Sequence, residues 1–434
     1  MSDKKLSTDS YKGVRDFYPA DMAVQKYIFE TWTKTAESFG FERYDASILE
    51  PADLYKAKGA ENEELVNEQT YTFTDRGGRE VTLRPEMTPT VARMIAGKQR
   101  ELALPLRWYS IPNLFRYERP QKGRLREHWQ FNCDIFGGDE ITADIELIAL
   151  AYQTMINFGV NPQKFIIKIN HRTFLRELLR KNGSNDIISA TRVIDRMDKL
   201  PVEEFKELLK EVVPENNVEK FYTELNQADK SLIDSVDTNL SLMRVIDGLR
   251  ELGIETAFSP SLARGFDYYT GTIFEVFEVD QGGNPTGRAM LGGGRYDNLT
   301  MMFSNEPVSG IGFGMGDVTL RDFLEENNLI PERVRSTTAT VTVIPETIEQ
   351  NLPAEKIASE IRQAGISVAT DIGSQKTDKK KARASDRGTK FIIVIGETEI
   401  TSGIITVKNL KTSEEKSGTP SELTDFIKQN TSVN

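Results

Sequence analysis

The sequence predicts an α+β protein: a large antiparallel sheet, a helical insertion within it, and a small C-terminal α/β domain. Three observations carry this. Strand-like stretches rich in aromatic and β-branched residues recur before residue 330, joined by long polar or glycine-rich connections. Between about 183 and 255 only helical spacing remains, and Asp and Glu become frequent. Beyond 338, strand and helix patterns alternate, as in a compact domain with a partly parallel sheet. These shifts predict one domain at 1–330 with an insertion at about 183–255, a linker at 331–338, and a second domain at 339–434.

Each element follows from local pattern. Val24, Ile28, Trp32, Ala36 and Phe39 recur three or four apart, which predicts a helix over 21–39 stopped by Gly40. Tyr71–Thr74 and Glu80–Arg84 flank Asp75-Arg76-Gly77-Gly78-Arg79 and read as a hairpin. Residues 106–118 and 128–136 read as an antiparallel pair. The loop between them, RPQKGRLRE at 119–127, exceeds the roughly two to five residues of ordinary hairpin loops, which marks it as functional. Val202, Phe205, Leu208, Leu209 and Val212 keep helical spacing in the insertion. Strand patterns return at 268–279 and 308–313, with glycine-rich turns expected between them. In the C-terminal domain, strands at 341–345, 365–370 and 390–396 alternate with helices at 353–364 and 376–387.

Composition bounds the chemistry. The chain has 434 residues, 38% hydrophobic and 28% charged, enough to bury more than one core. No apolar run approaches the roughly 18 residues of a membrane helix. The N-terminal MSDKKLSTDSYKG lacks the apolar stretch of a secretory signal, so a cytoplasmic protein is expected. Net charge is −11, which argues against indiscriminate coating of nucleic acid but permits local basic patches. The single cysteine, Cys133, excludes an intramolecular disulfide. With His128 and His171 as the only histidines and no HExxH spacing, no resident metal is expected.

Five segments concentrate polar chemistry. Strand alternation places Arg116 and Glu118 on one face, and Gln130, Asn132 and Asp134 on one face of the return strand, with Phe131, Cys133 and Ile135 behind. An ordinary half-exposed sheet would alternate likewise. But Arg107, Arg116, Arg119, Lys122, Arg124 and Arg126 oppose Glu118 alone between 107 and 126, and an arginine beside an orienting glutamate suits phosphate. Arg264-Gly265-Phe266-Asp267-Tyr268-Tyr269-Thr270-Gly271 surrounds a turn into a strand, where alternation lets at most one tyrosine fill the core. Gly292-Gly293-Gly294-Arg295-Tyr296-Asp297 reads as a tight turn or a ligand-hugging loop. Gly310–Gly316 leads into a helix at Asp317, without a Walker pattern. Pro85 and Pro89 hold Glu86 at a strand-to-helix corner, either as a helix-start acid or as a binder of an ammonium group.

Together these segments resemble the histidyl-tRNA synthetase family, one of the class II aminoacyl-tRNA synthetases. The resemblance rests on GVRDFYP at 13–19, LRPEMTPT at 83–90, FRYERPQKGR at 115–124, RGFDYYTG at 264–271 and GGGRYDNL at 292–299. It spans nearly the whole chain. It implies a class II catalytic domain with a C-terminal anticodon-binding domain, and a histidine–tRNA ligase that makes histidyl-adenylate from histidine and ATP, then charges histidine tRNA. It implies Mg²⁺ accompanying ATP, no prosthetic group, and a homodimer with the 21–55 region in its interface.

The resemblance also implies roles. Arg116 and Arg264 would converge on the ATP α-phosphate, with Glu118 orienting Arg116. Glu86, Thr88 and Gln130 would receive the α-amino group. Asp134 and Tyr269 would read the imidazole in a pocket shaped by Tyr268; many bacterial relatives carry glutamate where Asp134 stands. Arg119 and Gln121 would meet the tRNA acceptor end. Lys379, Lys380, Lys381 and Arg383, on a helix where basic residues outnumber acidic ones, would meet the anticodon arm. One position departs: the third class II motif usually carries an arginine that clamps the γ-phosphate, and Thr319 stands there, with Arg321 about 200° further round the helix. Either another cation, Arg295 being the candidate, holds the triphosphate tail, or activity is impaired. The alternative function is a catalytically silent paralogue, like the regulatory subunit of ATP phosphoribosyltransferase. Thr319 favours it; the intact arginines, the tyrosine pair and the C-terminal domain weigh against it.

Overall fold

The apolar stripe of the first helix sets its place. The helix forms over Pro19–Ser38, and Ile28, Trp32 and Ala36 are fully buried. The computed structural model describes residues 6–56, 69–197, 200–227, 230–236, 240–263, 268–331, 334 and 337–431. The chain divides into two compact units, Met1–Asp16 with Ile28–Leu329, and Phe17–Tyr27 with Ile330–Asn434.

The first unit is built on a nine-stranded sheet. Across it run Glu42–Arg43, Leu106–Ser110, Glu127–Phe136, Gly310–Gly316, Pro285–Arg295, Thr272–Val279, Phe165–His171 and Ala257–Phe258. Asn113–Phe115 pairs with the first part of Glu127–Phe136. The central pairings are antiparallel, and only the outermost pair on each side is parallel. Alternation then divides the sheet. Phe131, Phe313 and Phe274 meet on the back, where Trp32 stacks on Phe131 at 5.4 Å. The helix Glu140–Asn157 also covers this face, its Asp144 and Glu146 bonded to Arg295 and Arg107 of the sheet. The front face is covered by the helix Thr88–Lys98, whose Val91, Ala92 and Ile95 pack with Tyr269, Ile273 and Tyr296.

Three expectations are corrected here. The triple glycine lies inside the strand Pro285–Arg295, not in a turn, because Gly292, Gly293 and Gly294 pair with both neighbouring strands. The hairpin's first strand breaks after Ser110 and resumes only over Asn113–Phe115. Arg116 and Glu118 therefore lie past its end, where Tyr117 N–H donates to the Gln69 carbonyl instead of to the return strand. Tyr268 and Tyr269 precede the strand, which starts at Thr272. Alternation does not govern them, and both rings join the front-face cluster, 4.8 Å apart.

The insertion region carries Ile187–Ile194, Val202–Leu209, Val218–Asn226, Lys230–Asp234 and Leu240–Glu251, all helical. The second unit has a five-stranded sheet in the order Val368–Thr370, Val341–Pro345, Phe391–Ile395, Ile405–Asn409, Glu415–Gly418. Its first three strands are parallel and the last two antiparallel. Near-continuous apolar strands such as Val341–Pro345 suit this, because helices cover the sheet.

Candidate active site

The front face owes its shape to glycines. Gln130, Asn132, Asp134 and Phe136 point forward from the return strand, and Gly316, Gly314, Gly312 and Gly310 face them in register. The next strand adds Gly294 opposite Gly312 and Gly292 opposite Gly314. Two adjacent strands that present glycine at these forward positions make a trough beside Gln130, Asn132 and Asp134. The fit is close. A Cβ on Gly314 would lie 2.8 Å from Gln130 Cδ, and one on Gly312 would strike the Asp134 carboxylate and come within 2.9 Å of the Tyr296 hydroxyl. Glycine is the one residue that lets these polar groups lie in the sheet's own plane of approach.

Asp134 is the electrostatic centre. It is 4% exposed, and the Tyr296 hydroxyl donates to it. Burial pushes its carboxyl up from 3.8 to about 7, against the lowering effect of the tyrosine bond. Tyr44 lies close enough for the same carboxylate, after burial, to raise its hydroxyl well above 10. Tyr268 closes the group, edge-on to Tyr296 at 5.9 Å. A buried carboxyl among aromatic rings is matched to a ligand that donates N–H and has a flat face. Cys133, next in sequence, faces the back and is fully buried, with its thiol pushed well up by burial; it is not a nucleophile.

A second group gathers at the strand-to-helix corner. Arg84 is buried and donates to the Asn113 and Ala46 carbonyls at 3.1 and 2.7 Å. The Tyr55 hydroxyl bonds to the Glu86 carbonyl and Thr90 at 3.2 and 3.1 Å. These anchors fix Glu86, 3% exposed, and Thr88, the first residue of the helix Thr88–Lys98. Arg116 joins this corner by donating from Nε to the Pro85 carbonyl at 2.9 Å, with Glu118 3.9 Å from its Nη1. The structure thus brings Asp134, Tyr268 and Tyr269 around Tyr296, and Glu86 and Arg116 around Pro85. Gln130 lies on the same forward face as Asp134. Arg119 and Gln121 are exposed on the hairpin loop. Arg264 lies outside the described residues.

Three assignments change. Arg295 does not reach toward a triphosphate. It projects from the back of the sheet, 4% exposed, with its guanidinium bonded to Asp144 at 2.5 and 2.9 Å, Asp297 at 3.0 Å and the Glu140 carbonyl at 2.9 Å. Its odd-numbered register opposite Ile311 dictates that side. Lys380 is 2% exposed and donates to the Pro345 carbonyl at 2.8 Å, so it braces the second unit from within. Arg383 is half-buried against Asp371. Lys379 is exposed, and Lys381 partly so.

Sequence reasoning missed Tyr296, Tyr44, Arg84 and Tyr55 as site residues. Tyr296 and Arg84 carried a signal, since they lie in the segments GGGRYDNL and LRPEMTPT; Tyr44 and Tyr55 act through tertiary contacts with no local pattern. Among the described residues no group of three or more His, Cys, Asp or Glu side chains is placed to hold a metal ion.

Relatives share this organisation. The family pattern of histidyl-tRNA synthetase matches residues 13–318, and that of the anticodon binding domain matches 340–430. A histidine–tRNA ligase of Leptospira biflexa is 40% identical over 441 residues, covering 99% of both chains. The crystal structure of histidyl-tRNA synthetase from Nostoc superposes with a TM-score of 0.80 at 23% identity, covering 98% of this chain and 100% of that one. A Bacillus halodurans structure titled as an ATP phosphoribosyltransferase regulatory subunit/histidyl-tRNA synthetase has a TM-score of 0.71 at 22% identity, covering 90% and 99%. At these identities the two structures speak for the fold alone. The two family patterns, in order and over most of the sequence, and a relative matched end to end make this chain a member of the histidyl-tRNA synthetase family.

Proposed function

We propose that this chain is a histidine–tRNA ligase. The observation that supports it best is the Asp134–Tyr296 pair at the edge of a glycine-floored trough, a buried acceptor matched to an imidazole N–H. Ionised Asp134 accepts that N–H, and the buried pair rejects side chains that leave it unpaired. Glu86, Thr88 and Gln130 receive the α-ammonium group, and Tyr268 and Tyr269 border the ring.

The carboxylate of the bound histidine attacks the α-phosphorus of ATP. An O–P bond forms, the bond to the β-phosphate oxygen breaks, and pyrophosphate leaves. Arg116, held by Pro85 and Glu118, faces the charge that builds on the non-bridging oxygens; Arg264 is assigned to the opposite side. Such preplaced cations need no reorganisation as the charge develops. The 3′-hydroxyl of the tRNA's terminal adenosine then attacks the histidyl carbonyl and releases AMP. Mg²⁺ enters with ATP. Arg119 and Gln121 meet the acceptor end, and Lys379 and Lys381 the anticodon arm. We further propose a homodimer that works in the cytoplasm. The 21–55 region, with Ile48 and Leu49 exposed, is assigned to its interface. No helix among the described residues is long and apolar enough to cross a membrane.

The regulatory-subunit reading keeps one observation in its favour, Thr319 in place of an arginine. The anticodon-binding pattern at 340–430 and the end-to-end match with a ligase outweigh it. Histidine-dependent ATP–pyrophosphate exchange tests the choice. Purified protein with histidine, ATP and Mg²⁺ should exchange; silence would point to the paralogue.

A further inference from the structure

The segment GVRDFYP at 13–19 takes no part in the chemistry above, yet it is bonded to the hairpin that does. The Gly13 carbonyl accepts the Arg126 N–H at 2.7 Å. Gly13 is left-handed, with φ +87°, and a Cβ there would lie 2.9 Å from the side chains of Arg126 and Pro120. Only glycine lets the chain run this close to the loop. Two residues on, Arg15 donates to Asp317 at 2.7 Å. Asp317 is fully buried, opens the helix Asp317–Glu326, and accepts the Trp129 N–H at 2.9 Å with its other oxygen. The N-terminal segment thus ties the return side of the hairpin to the start of that helix.

The helix then holds the tip of the loop. The tip turns at Lys122-Gly123, closed by Gln121 and Arg124 through reciprocal backbone bonds of 3.0 and 2.9 Å. Thr319 donates to the Gly123 carbonyl at 3.3 Å, and Lys122 pairs with Glu326 at 2.5 Å. Seven residues separate Thr319 from Glu326, about two turns, so both contacts come from one face of the helix. Arg321 lies about 200° round from Thr319 and pairs back along the helix with Glu325 at 2.8 Å. The fit at Thr319 is close: even a Cβ on Gly123 would lie 3.4 Å from its hydroxyl oxygen, which leaves no room for an arginine beneath the tip. Arg119 and Gln121 are exposed on the loop so held, either side of Pro120.

We propose that Thr319 is a positioning residue for tRNA: with Glu326 it docks the hairpin tip on the helix, so that Arg119 and Gln121 are set for the acceptor end before the tRNA arrives. This rests on the ligase reading and its assignment of those two residues. A loop already held in its binding shape loses less conformational freedom on association, which raises affinity. In this chain position 319 serves the loop rather than the triphosphate.

The test uses the full-length chain. Thr319→Val removes the donor and keeps the shape. It should speed deuterium uptake over residues 119–126 and raise the Kd for histidine tRNA about 2- to 10-fold, the range of one neutral hydrogen bond. The KM values for ATP and histidine in the exchange assay should stay within about twofold. Thr319→Ser keeps the hydroxyl and should match the wild type in uptake and Kd. Thr319→Arg, too long for the gap, should speed uptake at least as much as Thr319→Val. Uptake over 119–126 that is equal in wild type and Thr319→Val overturns the proposal, as does an unchanged Kd, or a Thr319→Ser variant as impaired as Thr319→Val. Faster uptake throughout the first unit would mark general loosening and overturns it too. Uptake and Kd need no catalysis, so a wild type that exchanges nothing, yet loses tRNA affinity on Thr319→Val, would sink the ligase reading and spare the docking.

Discussion

Removing the carboxylate of Asp144 should destabilise the first unit by about 3 kcal/mol, and the figure can be worked from the contacts. Asp144 and Arg295 are each about 5% exposed. Asp144 accepts from Arg295 Nε and Nη2 and from the Thr272 hydroxyl, at 2.9, 2.5 and 2.5 Å. In Asp144→Ala, Nε and the hydroxyl lose their partners, at about 1–3 kcal/mol for each buried orphan. Breaking a buried pair from one side typically costs about 3–5 kcal/mol. The lower end applies because Arg295 keeps Asp297 and the Glu140 carbonyl. Replacing both partners, Asp144→Leu with Arg295→Met, should restore part of the loss, since no buried guanidinium is then stranded and Asp297, 28% exposed, keeps the Thr270 hydroxyl and reaches water. The assay is denaturant unfolding followed by tryptophan fluorescence. Trp32, Trp108 and Trp129 are the three tryptophans of the chain, and all lie in the first unit, so the signal ignores the second. A loss below about 1 kcal/mol, or a double variant worse than the two single ones combined, would refute the reasoning.

Three further outcomes follow from the same geometry. Gly312→Ala should abolish histidine-dependent exchange and cost about 1–3 kcal/mol of stability by overpacking, whereas Gly97→Ala, in a helix with open space at its Cβ, should stabilise by about 0.5–1 kcal/mol; equal effects in unfolding curves would contradict the trough. Asp134 titrates near 7 when folded against 3.8 otherwise, so the folded state holds its proton between those values and the unfolded state does not. Its contribution is full below about pH 4 and is lost as pH rises through 7, at up to about 1.4 kcal/mol per pH unit. Asp134→Asn should flatten the dependence of the denaturation midpoint over that window, and parallel curves would sink the assignment. Lys379→Glu should weaken tRNA binding and lower the slope of log affinity against log salt by about 0.9. Lys380→Ala should instead speed hydrogen exchange in the strand Val341–Pro345, because it strands the Pro345 carbonyl.

Periodicity and composition made most elements legible. Helical spacing found Pro19–Ser38 within two residues at each end, because a buried stripe must repeat every three or four positions. Alternation placed Gln130, Asn132 and Asp134 on one face and Phe131, Cys133 and Ile135 on the other, because the return strand is regular from Glu127 to Phe136. The same rule misled where the chain was irregular, at Arg116, Glu118 and the tyrosine pair. The triple glycine read as a turn because nothing local distinguishes a glycine that bends the backbone from one that makes room for a neighbour's side chain.

The sequence by itself determined the element types, the forward-facing polar column and the family, since these depend on residue type, spacing and ordered motifs. The tertiary structure alone decided which charges are free. Arg295 and Lys380 are indistinguishable from other basic residues in a string. Only the fold sets Arg295 against Asp144 and seals Lys380 beneath Pro345. Whether a charge is neutralised depends on groups a few ångströms away in space, and those groups lie 35 and 151 residues away in the chain.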